Sequence, residues 1–387
     1  MAFSERTPSK SFPLLTSVLL ISTLSTSALS SEKNQADMDP FIAGFAAYAE
    51  ELEYQTDASN THNAIYNYVQ EVKSVEKQVG YIGKELPIPK AVKVMDGVYT
   101  VVGSFIWGTP TNFGLNNNLS AIVFEDGVFV YNAGPNEAVA YSFHQQIKRL
   151  TNKPVKWLAV ENDQGHAYFG ASYWFDIGVK NLYSQQRAND NWNRIFERTK
   201  KRYAEGRGKA ITQSVRNVTS EFTTFDQQKT IDVGGEETVE LINFGGGHTP
   251  SMTGMYIPSR KLLFTGDLGF NERLPGLLKR STYKDWLTSF EKMIAMVPDD
   301  VIVIPGHGTP SDLATLKHQT YDYFVELTKQ VQAIVDRDGS LEEVDAIDQS
   351  KHKDRPVFNQ LSKSNARHIY KELIAEKAKL KALNTKL

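Results

Sequence analysis

Four side chains able to hold a metal stand where an apolar run breaks into glycine. They are His166 in Asp163-Gln164-Gly165-His166-Ala167, His248 in Gly245-Gly246-Gly247-His248-Thr249-Pro250, Asp267 in Phe264-Thr265-Gly266-Asp267, and His307 in Pro305-Gly306-His307-Gly308. Glycine at a strand end permits sharp turns and close backbone approach, so side chains from separate strands can converge on one pocket. A lone histidine is ordinarily just a satisfied polar residue. Three imidazoles and a carboxylate in the same setting are hard to explain by packing. The chain has no cysteine, which excludes disulfides and thiolate chemistry and leaves any metal to His, Asp and Glu.

The pattern around these residues is α/β. Apolar spacing of three and four predicts helices over 41–53 and 64–78. From Ala91 the character turns to β, with hairpins around Asp96-Gly97 and Asp126-Gly127. A helix over 137–150, a buried strand over 155–160 and a helix opening near His166 follow. A second β set covers 230–233, 239–244, 254–257, 262–265 and 301–304. Two such sets with intervening helices suggest two sheets between helix layers. Residues from 311 onward read as helical, with a Lys-rich, fraying stretch over 371–387.

With 41% hydrophobic and 23% charged residues among 387, wholesale disorder, collagen and a polytopic membrane protein are excluded. A formal net charge of −2 gives no global reason to expect nucleic acid or an anionic membrane as partner. One local exception runs over 187–216, where nine Lys and Arg face Asp190, Glu197 and Glu205. It reads as a solvated helix face, or as a rim that draws an anionic small-molecule substrate. Residues 1–30 have the layout of a secretory signal peptide: Arg6 and Lys10, an apolar stretch over 12–24, and small residues with Ala28 before a cut after Ser30. The expectation is an exported protein starting near Ser31, periplasmic in a Gram-negative source and secreted otherwise, with no membrane anchor after processing. The oligomeric state is not legible in the sequence.

Taken together, the strand-end motifs and the β/α order resemble the metallo-β-lactamase superfamily. Gly247-His248-Thr249-Pro250, Phe264-Thr265-Gly266-Asp267 and Pro305-Gly306-His307-Gly308 are similar to the last three motifs of that family. The resemblance spans about 91–310 and implies an αββα sandwich with a site for one or two divalent metals at one edge of the sheets. It divides the chain into a signal peptide (1–30), a helical N-terminal extension (31–90), the metallo-β-lactamase-like domain (91–310) and a C-terminal helical extension (311–387).

The principal motif departs from the family's His-x-His-x-Asp-His: this chain has Glu161-Asn162-Asp163-Gln164-Gly165-His166. Carried over by position, one metal would sit on Glu161, Asp163 and His248, the other on His166 and His307, with Asp267 between them. Asp163 or Asp267 would orient the water, because the family's aspartate is Gly165. Carboxylate ligands make the site harder and favour Mn, Fe or Mg over an all-nitrogen zinc site, so Zn, Mn or Fe is the expected metal. Tyr131-Asn132-Ala133-Gly134-Pro135 resembles the first motif, with Asn132 where an aspartate is usual. An asparagine amide can donate behind a carboxylate ligand, where an aspartate would repel it. The expectation is therefore a metal-dependent hydrolase of an ester, lactone, amide or similar bond. A non-catalytic binding or scaffold protein on the same fold and a redox di-metal protein are the alternatives.

Overall fold

The computed structural model describes residues 85–384; the expected signal peptide and the helices over 41–53 and 64–78 lie outside them. Seven strands form the first sheet: β1 (Val92–Met95), β2 (Val98–Val101), β3 (Leu119–Val123), β4 (Val128–Tyr131), β5 (Val155–Ala159), β6 (Asn181–Gln185) and β7 (Phe222–Phe225), in that spatial order. The first four pair antiparallel through the two hairpins, and β4 to β7 run parallel. Parallel neighbours need crossovers. Helix α1 (Glu137–Leu150), the short α2 (Gly165–Tyr168) and α3 (Ala171–Asp176), and then α4 (Gln186–Arg207) with α5 (Lys209–Thr212) supply them. Asn136 caps α1 by accepting from the Val139 N–H, the ordinary role of asparagine at that position.

The second sheet has the order β13-β12-β11-β10-β9-β8, from β8 (Gln228–Asp232), β9 (Thr238–Gly245), β10 (Met252–Ile257), β11 (Leu262–Phe270), β12 (Ile302–His307) and β13 (Ser311–Asp312). Helix α6 (Tyr283–Met296) bridges the parallel pair β11 and β12. After β13 come α7 (Leu313–Leu316), a π-helical segment Lys317–Asp322, α8 (Tyr323–Asp336), α9 (Leu341–Asp345) and the long α10 (Phe358–Asn384). Helix α10 continues through Asn384, across the Lys-rich stretch. One correction is that β6 and β7, absent from the expectation, extend the first sheet.

Alternation of side chains across each strand sorts the apolar residues into three layers. Phe129 and Tyr131 meet Leu262 and Phe264 between the sheets, while Val128 and Val130 face the α1 side and Leu263 faces α6 and α8. This is the αββα sandwich. The C-terminal helices do not form their own core: Leu361, Ala366, Ile369 and Leu373 of α10 share one with Trp286, Phe290 and Phe324. Among the described residues, no helix is long and apolar enough to cross a membrane.

Candidate metal centre

Every anticipated metal ligand is buried; Asp163 and His166 lie in the turn and the short helix α2 beyond β5, and the others at or near strands. Glu161 follows β5, His248 follows β9, Asp267 lies within β11, and His307 ends β12. Gly266 makes the approach possible, because a Cβ there would lie 1.9 Å from Glu161 Oε2, and its φ of 54° is the left-handed conformation glycine tolerates.

Glu161 and Asp267 are the buried anions at the centre. Glu161 Oε1 accepts from the Nδ2 groups of Asn117 (2.8 Å) and Asn132 (3.0 Å), and Oε2 accepts from the Asp267 backbone N–H. The expected amide behind Glu161 is thus present, and Asn132 Oδ1 also accepts from the Glu161 N–H at 3.1 Å. Asn132 has a φ of 69°, a conformation asparagine adopts more readily than most residues. Asp267 accepts from Asn117 at Oδ1 (3.1 Å) and from Asn162 at Oδ2 (3.0 Å).

Three imidazoles close on Asp267. His166 Nε2 lies 3.3 Å from Asp267 Oδ2 and 3.4 Å from Glu161 Oε1, and His248 Nε2 lies 3.5 Å from the same Oδ2. His248 Nδ1 donates to the Gly276 carbonyl at 3.0 Å, which leaves its Nε2 with a free lone pair. His166 Nε2 is buried with no hydrogen-bond partner. Donors about 2.0–2.1 Å from one tetrahedral cation lie about 3.3–3.4 Å apart. The contacts of His166 with Asp267 and Glu161 have the length of edges of such a site, and His248 reaches it through Asp267 Oδ2. Glu161, His166 and Asp267 form the tightest group, their donor atoms all within 4.8 Å of one another.

Without a cation, the same proximity is expressed in proton affinities. Burial disfavours charge on His166, but the adjacent Asp267 and Glu161 carboxylates override it and push its pKa up to about 10. Burial opposes ionisation of Asp267 too, yet the surrounding imidazoles hold it well below the usual carboxylate range. Burial and the Asp267 charge raise Glu161. Burial lowers His248, and burial with the Arg273 charge pushes His307 down to about 3.

Two expected ligands have other partners. Both oxygens of Asp163 are taken by Arg280, at 2.5 and 2.8 Å, so Asp163 is a buried ion-pair partner and not a free ligand or base. His307 Nδ1 lies 3.0 Å from Arg273 Nη1. A guanidinium only donates, so Nδ1 accepts, and the ring proton sits on Nε2, 3.1 Å from Asp267 Oδ1. That nitrogen then has no lone pair for a metal. Of the six residues expected to hold two metals, Glu161, His166 and Asp267 come together as one buried group, with His248 beside Asp267. Gly165 is also more than a missing aspartate: a Cβ there would lie 2.5 Å from the Phe169 ring and 2.6 Å from that of Tyr203.

The functional residues not anticipated are Asn117, Asn162 and Arg280. The run Asn116-Asn117-Asn118 before β3 was the available signal, three amides with no obvious turn to serve. Asn118 latches the two sheets by donating to the carbonyls of Pro305 (2.9 Å) and Gly308 (2.7 Å).

The model of the metallo-beta-lactamase superfamily matches residues 168–307. The fold is that of the metallo-β-lactamase superfamily. The matched segment contains His248, Asp267 and His307 and begins after His166, leaving the altered motif outside it. Among solved structures, the DIM-1 metallo-beta-lactamase exposed to ceftazidime aligns at 18% identity over 60% of this chain and 96% of its own, with a TM-score of 0.47. A metallo-beta-lactamase from Pontibacter korlensis aligns at 19% over 60% and 96%, with a TM-score of 0.46. The metallo-β-lactamase fold supports metal-dependent hydrolysis as a class of chemistry and leaves the reaction open.

Proposed function

We propose that this chain is an exported metal-dependent hydrolase that takes one divalent cation, Zn, Mn or Fe, on Glu161, His166, His248 and Asp267. The observation that carries the reading is the buried, unpartnered His166 Nε2 at tetrahedral-edge distances from two carboxylates. A cation held there supplies Lewis acidity toward a scissile carbonyl or ester and makes hydroxide available near neutral pH. The protein's own residues then orient and neutralise. His307, protonated on Nε2, steadies Asp267 Oδ1, and Phe270 stacks on the His307 ring at 4.6 Å. Trp286 packs edge-on against His248 and anchors its own Nε1 on the Leu268 carbonyl. Asp267 is left to orient water, because Gly165 lacks a carboxylate and Asp163 is paired.

Elemental analysis of protein purified without chelator and reconstituted with each metal tests this. About one equivalent is expected, with none in an Asp267→Ala, His248→Ala double variant. Less than about a tenth of an equivalent, with no thermal stabilisation on metal addition, overturns it. The amide saturation of Glu161 Oε1 favours the competing reading, a non-catalytic binding protein on the same fold, and that result would put it ahead. Export rests on the composition of residues 1–30. Intact mass after expression in a secretion-competent host should show a start near Ser31; an unprocessed Met1 in the membrane fraction overturns it.

A further inference from the structure

We infer that the cavity beside the metal centre carries an oxyanion subsite built on Arg207 and Arg273, and that the substrate is a small molecule bearing a carboxylate, sulfate or phosphate group. The inference deepens the hydrolase reading and rests on it for the word substrate; anion binding itself needs no metal.

His166, His248 and His307 form one wall of this cavity of about 320 Å³. Five basic side chains, Arg202, Arg207, Arg273, Lys279 and Arg280, line it against a single acid, Asp163, which Arg280 already neutralises. Arg273 is only 2% exposed. Its guanidinium lies 4.6 Å from the Trp107 ring, its Nη1 meets His307, and its Nε has no partner. The Nε and Nη2 groups share the edge with which a guanidinium grips an oxyanion in two-point fashion. Arg207 faces the same cavity from the end of α4. Its guanidinium lies 3.6 Å from the Tyr203 ring, and its Nη1 is likewise buried without a partner.

Arg207 occupies a built position. A Cβ on Gly108 would lie 2.7 Å from its Nε and 2.9 Å from its Cζ, so the absent side chain at 108 makes room for the guanidinium. Trp107 carries one arginine and Gly108 accommodates the other. The two charges repel: burial lowers Arg273 to about 10, Asp267 opposes that, and Arg207 adds to it. Buried donors without acceptors are costly, and an oxyanion between the two arginines satisfies donors and repulsion together. Tyr203, which carries Arg207, also fills the space at Gly165. Tyr203 thus touches both the position that lacks the carboxylate and the arginine of the subsite.

Calorimetric titration with sodium sulfate at constant ionic strength, on protein as purified and after chelator treatment, tests the subsite. Arg207→Met and Gly108→Ala should each weaken sulfate binding by roughly tenfold or more, with metal content unchanged. Arg198→Met, on the exposed face of α4, should leave it within about twofold. Arg207→Lys, which keeps the charge, should recover only part of the affinity and guards against a fold defect. No sulfate binding by the unaltered protein, or equal losses in Arg207→Met and Arg198→Met, overturns the subsite. Arginine-dependent sulfate binding in a protein that takes up no metal would sustain the subsite and sink the hydrolase reading.

Discussion

On the first sheet's side of the centre, the Glu161 carboxylate is met by side-chain amides and a backbone N–H. On the second sheet's side, Asp267 is met by the amides of Asn117 and Asn162 and by three imidazoles, one of them backed by Arg273. Both carboxylates are fully buried, and an isolated buried charge is prohibitive, so each had to be compensated. Fixed dipoles compensate most of Glu161, with His166 as the one neighbour that can exchange a proton. Imidazoles compensate Asp267 with groups that can give up protons to a cation. The difference teaches where exchangeable chemistry resides: on the imidazole side, with Glu161 as a held anion at its border. Arg273 then supplies a permanent positive charge beside His307, where a second cation would otherwise be expected.

The comparison breaks most directly at Asp267. Asp267→Ala should abolish metal uptake and cost about 3–5 kcal/mol in denaturant unfolding, the usual penalty for removing one partner of a buried charged group. A variant that still holds a full equivalent would move the metal away from Asp267. Next in size is Asn132→Asp, which sets a carboxylate against Glu161 and should cost about 1–3 kcal/mol, with Asn132→Ala between it and the native chain. Equal stability of all three would show that dipoles do not hold Glu161.

Restoring the family aspartate with Gly165→Asp should be destabilising by about 1–3 kcal/mol, since the side chain must displace Phe169 or Tyr203. A gain of both stability and a second metal would contradict the packing described here.

A pH experiment sharpens the contrast further. In metal-free protein, His166 has its folded pKa raised to about 10 from an ordinary value near 6.5. Its stabilisation is therefore fully present below about pH 6.5 and declines as pH rises toward 10. Metal-loaded protein, with the imidazole already neutral, should lack this alkaline loss. Parallel melting curves with and without chelator between pH 6 and 9.5 would show it, and superimposable curves would remove His166 from the centre. The smallest signal is spectroscopic: nitrogen NMR of His307 should find the proton on Nε2, and Arg273→Met should release that preference. A native Nδ1–H tautomer would reopen His307 as a ligand.

Much of this molecule was legible in one dimension. The hairpins at Asp96-Gly97 and Asp126-Gly127, the α1 helix and the strand ends at His248 and His307 follow from turn chemistry and periodicity, whereas β11 runs on through Asp267 to Phe270. The pairing of Asn132 with Glu161 also followed, because a carboxylate needs a donor whatever the details of the fold. Strands β6 and β7 escaped notice because Asn181–Gln185 and Phe222–Phe225 are short and border the basic helix. Their registration depends on neighbours in the sheet rather than on their own alternation.

What the sequence by itself determined is which donor types reach the edge of the sandwich, since strand ends and glycines are local properties. Which of those donors stays free was decided only in three dimensions. Asp163 and Arg280 are 117 residues apart, Asn162 and Asp267 are 105, and Arg273 meets His307 across 34. A ligand and a paired ion are the same residue in sequence. They differ in whether a distant cation or amide arrives first at the same lone pair, and only the packed sheets settle that.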